Sequence, residues 1–311
     1  MIKITLPDGN VKELESGSTP MDVALSISAG LARNVISAKF NDTVVETVTP
    51  LHEDGTLTLY TWNEAEGKKA FWHSTSHIVA QALEELYPGI KLTIGPAIEN
   101  GFYYDVDFGE HTLSEKDFAA IEKKALEIAR GKHDFKMRSV SKADALNYYK
   151  EEGNEFKIEL IENLEDGSIT FCDHDTFTDL CRGGHIPNTG IVKAIKILNV
   201  AGAYWRGDEN KPQLTRVYGI SFPKQKELTE YLAMIEEAKK RDHRKLGKEL
   251  ELFTYHSMKS DSRFPYLNLY ITLLKIFAVL ALAIGIILFV ISVDEGLGIF
   301  GLFVVVYALF M

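Results

Sequence analysis

From Arg263 to Met311 only four side chains are charged, Arg263, Lys275, Asp294 and Glu295, and they cancel. The first 262 residues therefore hold the whole formal net charge of -10 that 34 Lys+Arg and 44 Asp+Glu produce. A polar, globular-type stretch is joined to an apolar tail. This partition excludes one uniform globular domain, and it excludes a mostly disordered chain. The polar stretch is long enough for two domains of about 100–200 residues each. Its acidic balance argues against salt-driven, sequence-blind binding of nucleic acid over the whole surface, while leaving room for a local basic patch. Cys172 and Cys181 are the only two cysteines, too few for a disulfide framework. No secretory pattern opens the chain, so a reducing cytoplasm is expected, where a Cys serves as ligand, reactive group or core filler.

Hydrophobic spacing predicts an α+β protein. Ile2, Ile4 and Leu6 alternate with polar neighbours, Pro7-Asp8-Gly9-Asn10 is a turn signal, and Val11–Leu14 can return as a second strand. Thr19-Pro20 reads as an N-cap and first helical residue, with Val23, Ala24 and Ile27 on one face. Short strands follow at Ala38–Asn41, Val44–Val45 and Leu57–Tyr60. Residues 1–61 thus read as a β-grasp type unit, though the pattern fits any small α+β domain. Polar Asn63–Lys69 reads as a linker. Beyond it, helices are predicted over Ala70–Leu86, from a Ser114 cap to Arg130, over Lys142–Glu151 and over Lys224–Glu251. Strands are predicted at Lys91–Ile94, Gly101–Phe108, Phe135–Val140, Phe156–Ile161, Ile169–Phe171, Ile191–Val200 and Leu214–Ile220. Cys172, Asp173, His174 and Asp175 read as polar loop residues that could line the same cleft as the motifs below.

Two motifs carry chemistry. His73 and His77, in Phe71-Trp72-His73-Ser74-Thr75-Ser76-His77, stand four apart, so a helix puts both imidazoles on one face. Alone the pair is weak, and Ser74 stands where a zincin has its Glu base. The second motif is Asp179-Leu180-Cys181-Arg182-Gly183-Gly184-His185, a tight glycine loop that can aim a thiolate and an imidazole at one place. His73, His77, Cys181 and His185 together offer an N/N/S/N set of the kind zinc prefers. The plainer alternative is a buried Cys in a glycine turn beside a surface His.

The pairing of HSTSH with DLCRGGH, behind a β-grasp unit, resembles threonyl-tRNA synthetase over roughly residues 1 to 256. Gly95-Pro96-Ala97, Gly101-Phe102-Tyr103-Tyr104-Asp105 and Tyr204-Trp205-Arg206-Gly207-Asp208 add to the resemblance. It implies a TGS domain at 1–61, a tRNA editing domain at about 63–225, and at 226–256 a linker helix with the start of a catalytic core. One departure is the Gly184 that stands where the family usually has Pro. The implied activity is hydrolysis of serine wrongly esterified to threonine tRNA, with the tRNA(Thr) acceptor end as partner. The core cluster would be His73, His77, Cys181 and His185. Asp179 would hold the substrate amine or hydroxyl, Lys157 would orient the ribose or a water, and Tyr104 would line the pocket with Arg182 and Gly183. The ligand types suit zinc, and a metal-free cluster that positions water is equally compatible.

Nothing after His256 resembles the class II core, so no ATP site is expected, and an editing hydrolase rather than a complete ligase. A separate class II core would then be a partner. Alternatives are a non-catalytic remnant that binds tRNA or a synthetase, and a metabolite-sensing membrane protein. Ile276–Val293 is 18 consecutive uncharged residues, about the minimum for a transmembrane helix, and Leu297–Met311 is a second, shorter apolar run. Lys259, Arg263 and Lys275 precede the first run, so positive-inside logic would keep the polar part cytoplasmic if the tail at 264–311 anchors the chain in a membrane. Gene fusion, frameshift or misassembly would produce the same tail.

Overall fold

The computed structural model describes residues 1–241, 270–277, 279–280 and 283–284. Ile2 and Ile4 point inward while their neighbours face water, so β1 (Ile2–Thr5) pairs antiparallel with β2 (Val11–Leu14) across the predicted turn. Thr19 caps α1 (Pro20–Ile27) reciprocally: its hydroxyl accepts the Asp22 N–H, and the Asp22 carboxylate accepts the Thr19 N–H at 2.8 Å. After α2 (Ala29–Ala32) come β3 (Val35–Phe40), β4 (Thr43–Val45) and β5 (Gly55–Thr61). The resulting sheet runs β2-β1-β5-β3-β4, with β1 and β5 parallel. Ile2, Ile4, Val23, Ala38, Phe40, Leu51 and Leu57 form its core.

α3 (Ala65–Leu86) begins inside the segment that reads as a linker from sequence. The turn before it is fixed by Glu64, whose carboxylate takes the Thr61 N–H at 2.6 Å and the Thr61 hydroxyl at 2.8 Å. Asn63–Glu66 is polar because this first turn faces solvent, not because the chain is irregular there. Next come β6 (Lys91–Leu92), β7 (Ala97–Ile98), β8 (Gly101–Asp107), α4 (Phe118–Arg130), β9 (Lys136–Ser139) and α5 (Lys142–Glu151).

The predicted strand at Phe156–Ile161 is instead a helix, α6 (Glu155–Glu162). Phe156, Ile158 and Leu160 alternate, but the Asn154 side chain accepts the Lys157 N–H at 3.1 Å and starts a helical turn. The face buried is Phe156, Lys157 and Ile161, a helical spacing that a polar Lys hides from a hydrophobicity reading. β10 (Thr170–His174) and β11 (Phe177–Leu180) follow, so Cys172, Asp173 and His174 are strand rather than loop. β12 (Ala194–Tyr204) and β13 (Gln213–Phe222) form a long hairpin, and α7 (Gln225–Lys240) follows. The rest of the predicted helix, to Glu251, lies outside the described residues.

Two sheets result: β12-β13-β8-β6 with β7 added on β8, and β11-β10-β9. α3 packs between α4 and the larger sheet. Trp72 locks it there by donating its indole N–H to the Ser221 carbonyl at 3.0 Å. Burying Phe71, Trp72, Ile78 and Leu83 stabilises this layer by about 1.5–3 kcal/mol each. Residues Met1–Lys240 form one compact unit. Among the described residues no helix is long and apolar enough to cross a membrane. The expected span at 276–293 falls largely, and the run at 297–311 wholly, outside the described residues.

Candidate functional site

α3 carries a run of buried polar residues, Ser74, Thr75, Ser76 and His77. It tolerates them because the hydroxyls bond to carbonyls one turn back: Ser74 to Ala70, Thr75 to Phe71, Ser76 to His73. The two histidines then share a face, with ring centroids 4.8 Å apart. His73 Nδ1 lies 3.3 Å from the Gly95 carbonyl, which accepts from it when Nδ1 carries the proton. Nε2 lies 3.0 Å from Cys181 Sγ.

Cys181 leaves the end of β11, tied by its N–H to the Thr170 carbonyl at 3.1 Å. The glycine loop turns back through Gly183 and Gly184, both at positive φ, and closes where the Ile186 N–H donates to Ser74 Oγ at 2.9 Å. That return sets His185 Nε2 3.3 Å from Cys181 Sγ and stacks the His185 ring on Phe135 and His73. One ligand-type atom from each of His73, His77, Cys181 and His185 can be chosen so that all four lie within 4.8 Å of one another. Tetrahedral zinc would hold such atoms roughly 3.3–3.8 Å apart, so the set needs only a small contraction. Both His77 ring nitrogens are buried without a hydrogen-bond partner, which also suits a ligand. The donor set thus fits zinc.

Beside this cluster sits a buried polar group. Asp179 accepts from Lys157 Nζ on one oxygen and from the Tyr104 hydroxyl on the other, at 2.5 Å. His77 Nδ1 lies 3.3 Å from that second oxygen, out of line for a hydrogen bond. Burial pushes the Asp179 carboxyl up, but the Lys157 and His77 charges outweigh it and hold the group well below the usual carboxylate range. Burial opposes a charge on His77, yet Asp179 and Cys181 raise it to about 9. Burial also raises the Cys181 thiol, and bonds from His185 and His73 reverse this, leaving a thiolate. Burial keeps His73 below its ordinary value, so it is neutral. Burial and the Asp179 charge keep Tyr104 a neutral donor.

A cleft of about 440 Å³ opens onto His73, His77, Lys157, Asp179, Cys181, Arg182 and Gly183. Tyr104 lies behind Asp179 rather than in the cleft wall, and Arg182 is exposed. Every residue singled out from sequence is therefore at or directly behind one cleft. The sequence reading gave Gly95 and Glu46 no role in the cluster, and held Cys172 as a loop residue that could line the cleft. Cys172 Sγ lies 3.6 Å from His185 Nδ1, the Gly95 carbonyl orients His73, and Glu46 reaches the loop from the N-terminal sheet. No spacing rule links positions so far apart in sequence.

A family model for the TGS domain matches residues 2–61, and one for the threonyl and alanyl tRNA synthetase second additional domain matches residues 169–218. These are the N-terminal domains of the threonine–tRNA ligase family. The threonine–tRNA ligase of Flavobacterium johnsoniae is 74% identical over 255 residues, 82% of this chain and 39% of that protein. That of Cytophaga hutchinsonii is 58% identical over 255 residues, 82% of this chain and 40% of that protein. The threonine–tRNA ligase of Porphyromonas gingivalis strain ATCC 33277 is 57% identical over 256 residues, again 82% of this chain and 39% of that protein. The chain thus spans about two fifths of the length of these threonine–tRNA ligases.

Proposed function

We propose that this chain hydrolyses the ester bond of tRNA(Thr) mischarged with serine. The observation that carries the reading is the buried Lys157–Asp179 pair opening into the same cleft as His73 and Cys181. Serine and threonine differ by one methyl, worth about 1–3 kcal/mol in a pocket, so a second, hydrolytic sieve is needed where they must be told apart.

The roles follow from the charges. A carboxylate held ionised, Asp179, takes the α-ammonium or hydroxyl of the seryl group. Lys157 Nζ, fixed by Asp179, faces the ester and the ribose of the terminal adenosine. A water in the cleft gives its proton to the imidazole of His73, which burial keeps neutral. The water oxygen bonds to the ester carbon, the bond to the ribose oxygen breaks, and that oxygen takes up the proton from His73. The Cys181 thiolate offsets the positive charge that develops on His73. Residues Arg182 and Gly183 form the rim that the tRNA end meets. His73, His77, Cys181 and His185 offer the donor set for a zinc ion, which would supply a fixed positive charge beside the cleft; a His73 bound to it would not be free to take the proton, so the hydrolytic step belongs to the metal-free cluster.

Substitution tests the assignment in the full chain. His73→Ala and Cys181→Ala should each reduce serine release from seryl-tRNA(Thr) to the uncatalysed rate while leaving tRNA binding intact. Wild-type rates in both variants would remove these residues from the mechanism. Tight tRNA binding by a wild type that releases no serine would instead support a non-catalytic tRNA-binding role.

A further inference from the structure

Glu46 follows β4 in the N-terminal sheet, far in sequence from the editing-type fold, yet its side chain is only 14% exposed. It is buried against the glycine loop. One carboxylate oxygen, Oε1, accepts the Gly184 N–H at 2.9 Å and the His185 N–H at 3.4 Å, and lies 3.3 Å from His185 Nδ1. Successive amide N–H groups can converge on one anion because Gly183 and Gly184 both take positive φ, +95° and +89°. A Cβ on Gly183 would come within 3.0 Å of that same oxygen, so the loop is closed tightly on the carboxylate. Proline at 184 would lack the donor and is locked near φ -65°, so neither the bond nor the turn would survive it.

We propose that Glu46 is a positioning residue for the histidine–cysteine cluster, so that the TGS domain completes the site rather than only preceding it. The inference rests on the hydrolytic reading for its kinetic consequence, and on geometry alone for its structural one. His185 must present Nε2 to Cys181, and which nitrogen faces the cluster is set by what the other nitrogen bonds. Two groups face Nδ1: the Glu46 carboxylate at 3.3 Å and the Cys172 sulfur at 3.6 Å. The carboxylate oxygen is the nearer of the two, and oxygen is a stronger acceptor than sulfur for an imidazole N–H. Phe135 and His73 stack on the ring faces, which leaves only the half-turn rotation about Cβ–Cγ, exchanging the two ring edges, to be fixed. Glu46 fixes that rotation and holds the loop backbone with the same oxygen.

The test uses the full chain and two variants. Glu46→Ala removes the acceptor; Glu46→Gln keeps a near-isosteric amide oxygen. In Glu46→Ala, kcat for serine release from seryl-tRNA(Thr) should fall about 10–100-fold, with KM within about twofold, the size typical for losing a group that orients an active-site His. Glu46→Gln should recover most of the rate. Nitrogen-15 NMR of the labelled histidines should show the His185 Nδ1–H hydrogen-bond signature in wild type and Glu46→Gln, and its loss in Glu46→Ala. An unchanged His185 Nδ1 signature in Glu46→Ala would overturn the inference whatever the rates. If the wild type releases no serine, the hydrolytic reading fails, and the NMR comparison alone decides the role of Glu46.

Discussion

Lys157 and Asp179 are each almost fully buried, and Asp179 also has His77 Nδ1 at 3.3 Å. Removing one partner of such a pair costs about 3–5 kcal/mol, because the other is left charged in a low-dielectric site. Lys157→Met should therefore lower stability by that amount in urea unfolding, and adding Asp179→Asn to it should restore part of the loss. His174 is a different case. It is packed between Phe135 and Phe177, with both ring nitrogens buried and unpartnered, and burial brings its value down to about 3 from 6.5. Below its ordinary value the unfolded chain takes up a proton that the folded chain refuses, so stability falls as pH drops from 6.5 toward 3. His174→Leu should flatten this limb of the stability-against-pH curve; an unchanged slope would show that His174 does not set it. At this scale the sequence was legible where residues come in spaced pairs, His73 with His77 and Cys181 with His185. Glu46 was illegible because its partner is chosen by tertiary packing, not by spacing, and Cys172 was read near the cleft but without its contact to His185.

Among the elements, α3 carries the site, and its start leaves no room for a side chain at Gly67. Gly67 is buried where the helix leaves β5, and a Cβ there would run into the carbonyl oxygen of Thr61. Both obstacles are backbone, which cannot rotate away. Gly67→Ala should destabilise by about 1–3 kcal/mol, the usual cost of overpacking, read as a lowered Tm; no change would mean that the helix start is free to shift. Periodicity located most elements, including the N-terminal hairpin and Lys142–Glu151. It failed at Phe156–Ile161, where a buried Lys broke the helical pattern and left an apparent alternation. That failure matters for function, since α6 is the element that delivers Lys157 to Asp179. Lys157 lines the cleft, although the pattern gave it the wrong backbone.

At the scale of the whole molecule, an α3-centred editing-type fold and a glycine loop line one cleft, and the N-terminal sheet with TGS character reaches that loop through Glu46. The net charge of -10 makes any tRNA contact depend on local cations such as the exposed Arg182 at the cleft rim. The contrast between a charged N-terminal part and an apolar tail was plain from composition, and the cluster from two motifs, whereas the link between the first sheet and the cluster emerged only from the fold. The central claim, selective hydrolysis, is tested most directly by the release of amino acid from purified seryl-tRNA(Thr) and threonyl-tRNA(Thr) incubated with the full chain. Serine released well above the uncatalysed rate, with threonine left on its tRNA, is the result predicted here. Equal release of both at the uncatalysed rate would contradict it.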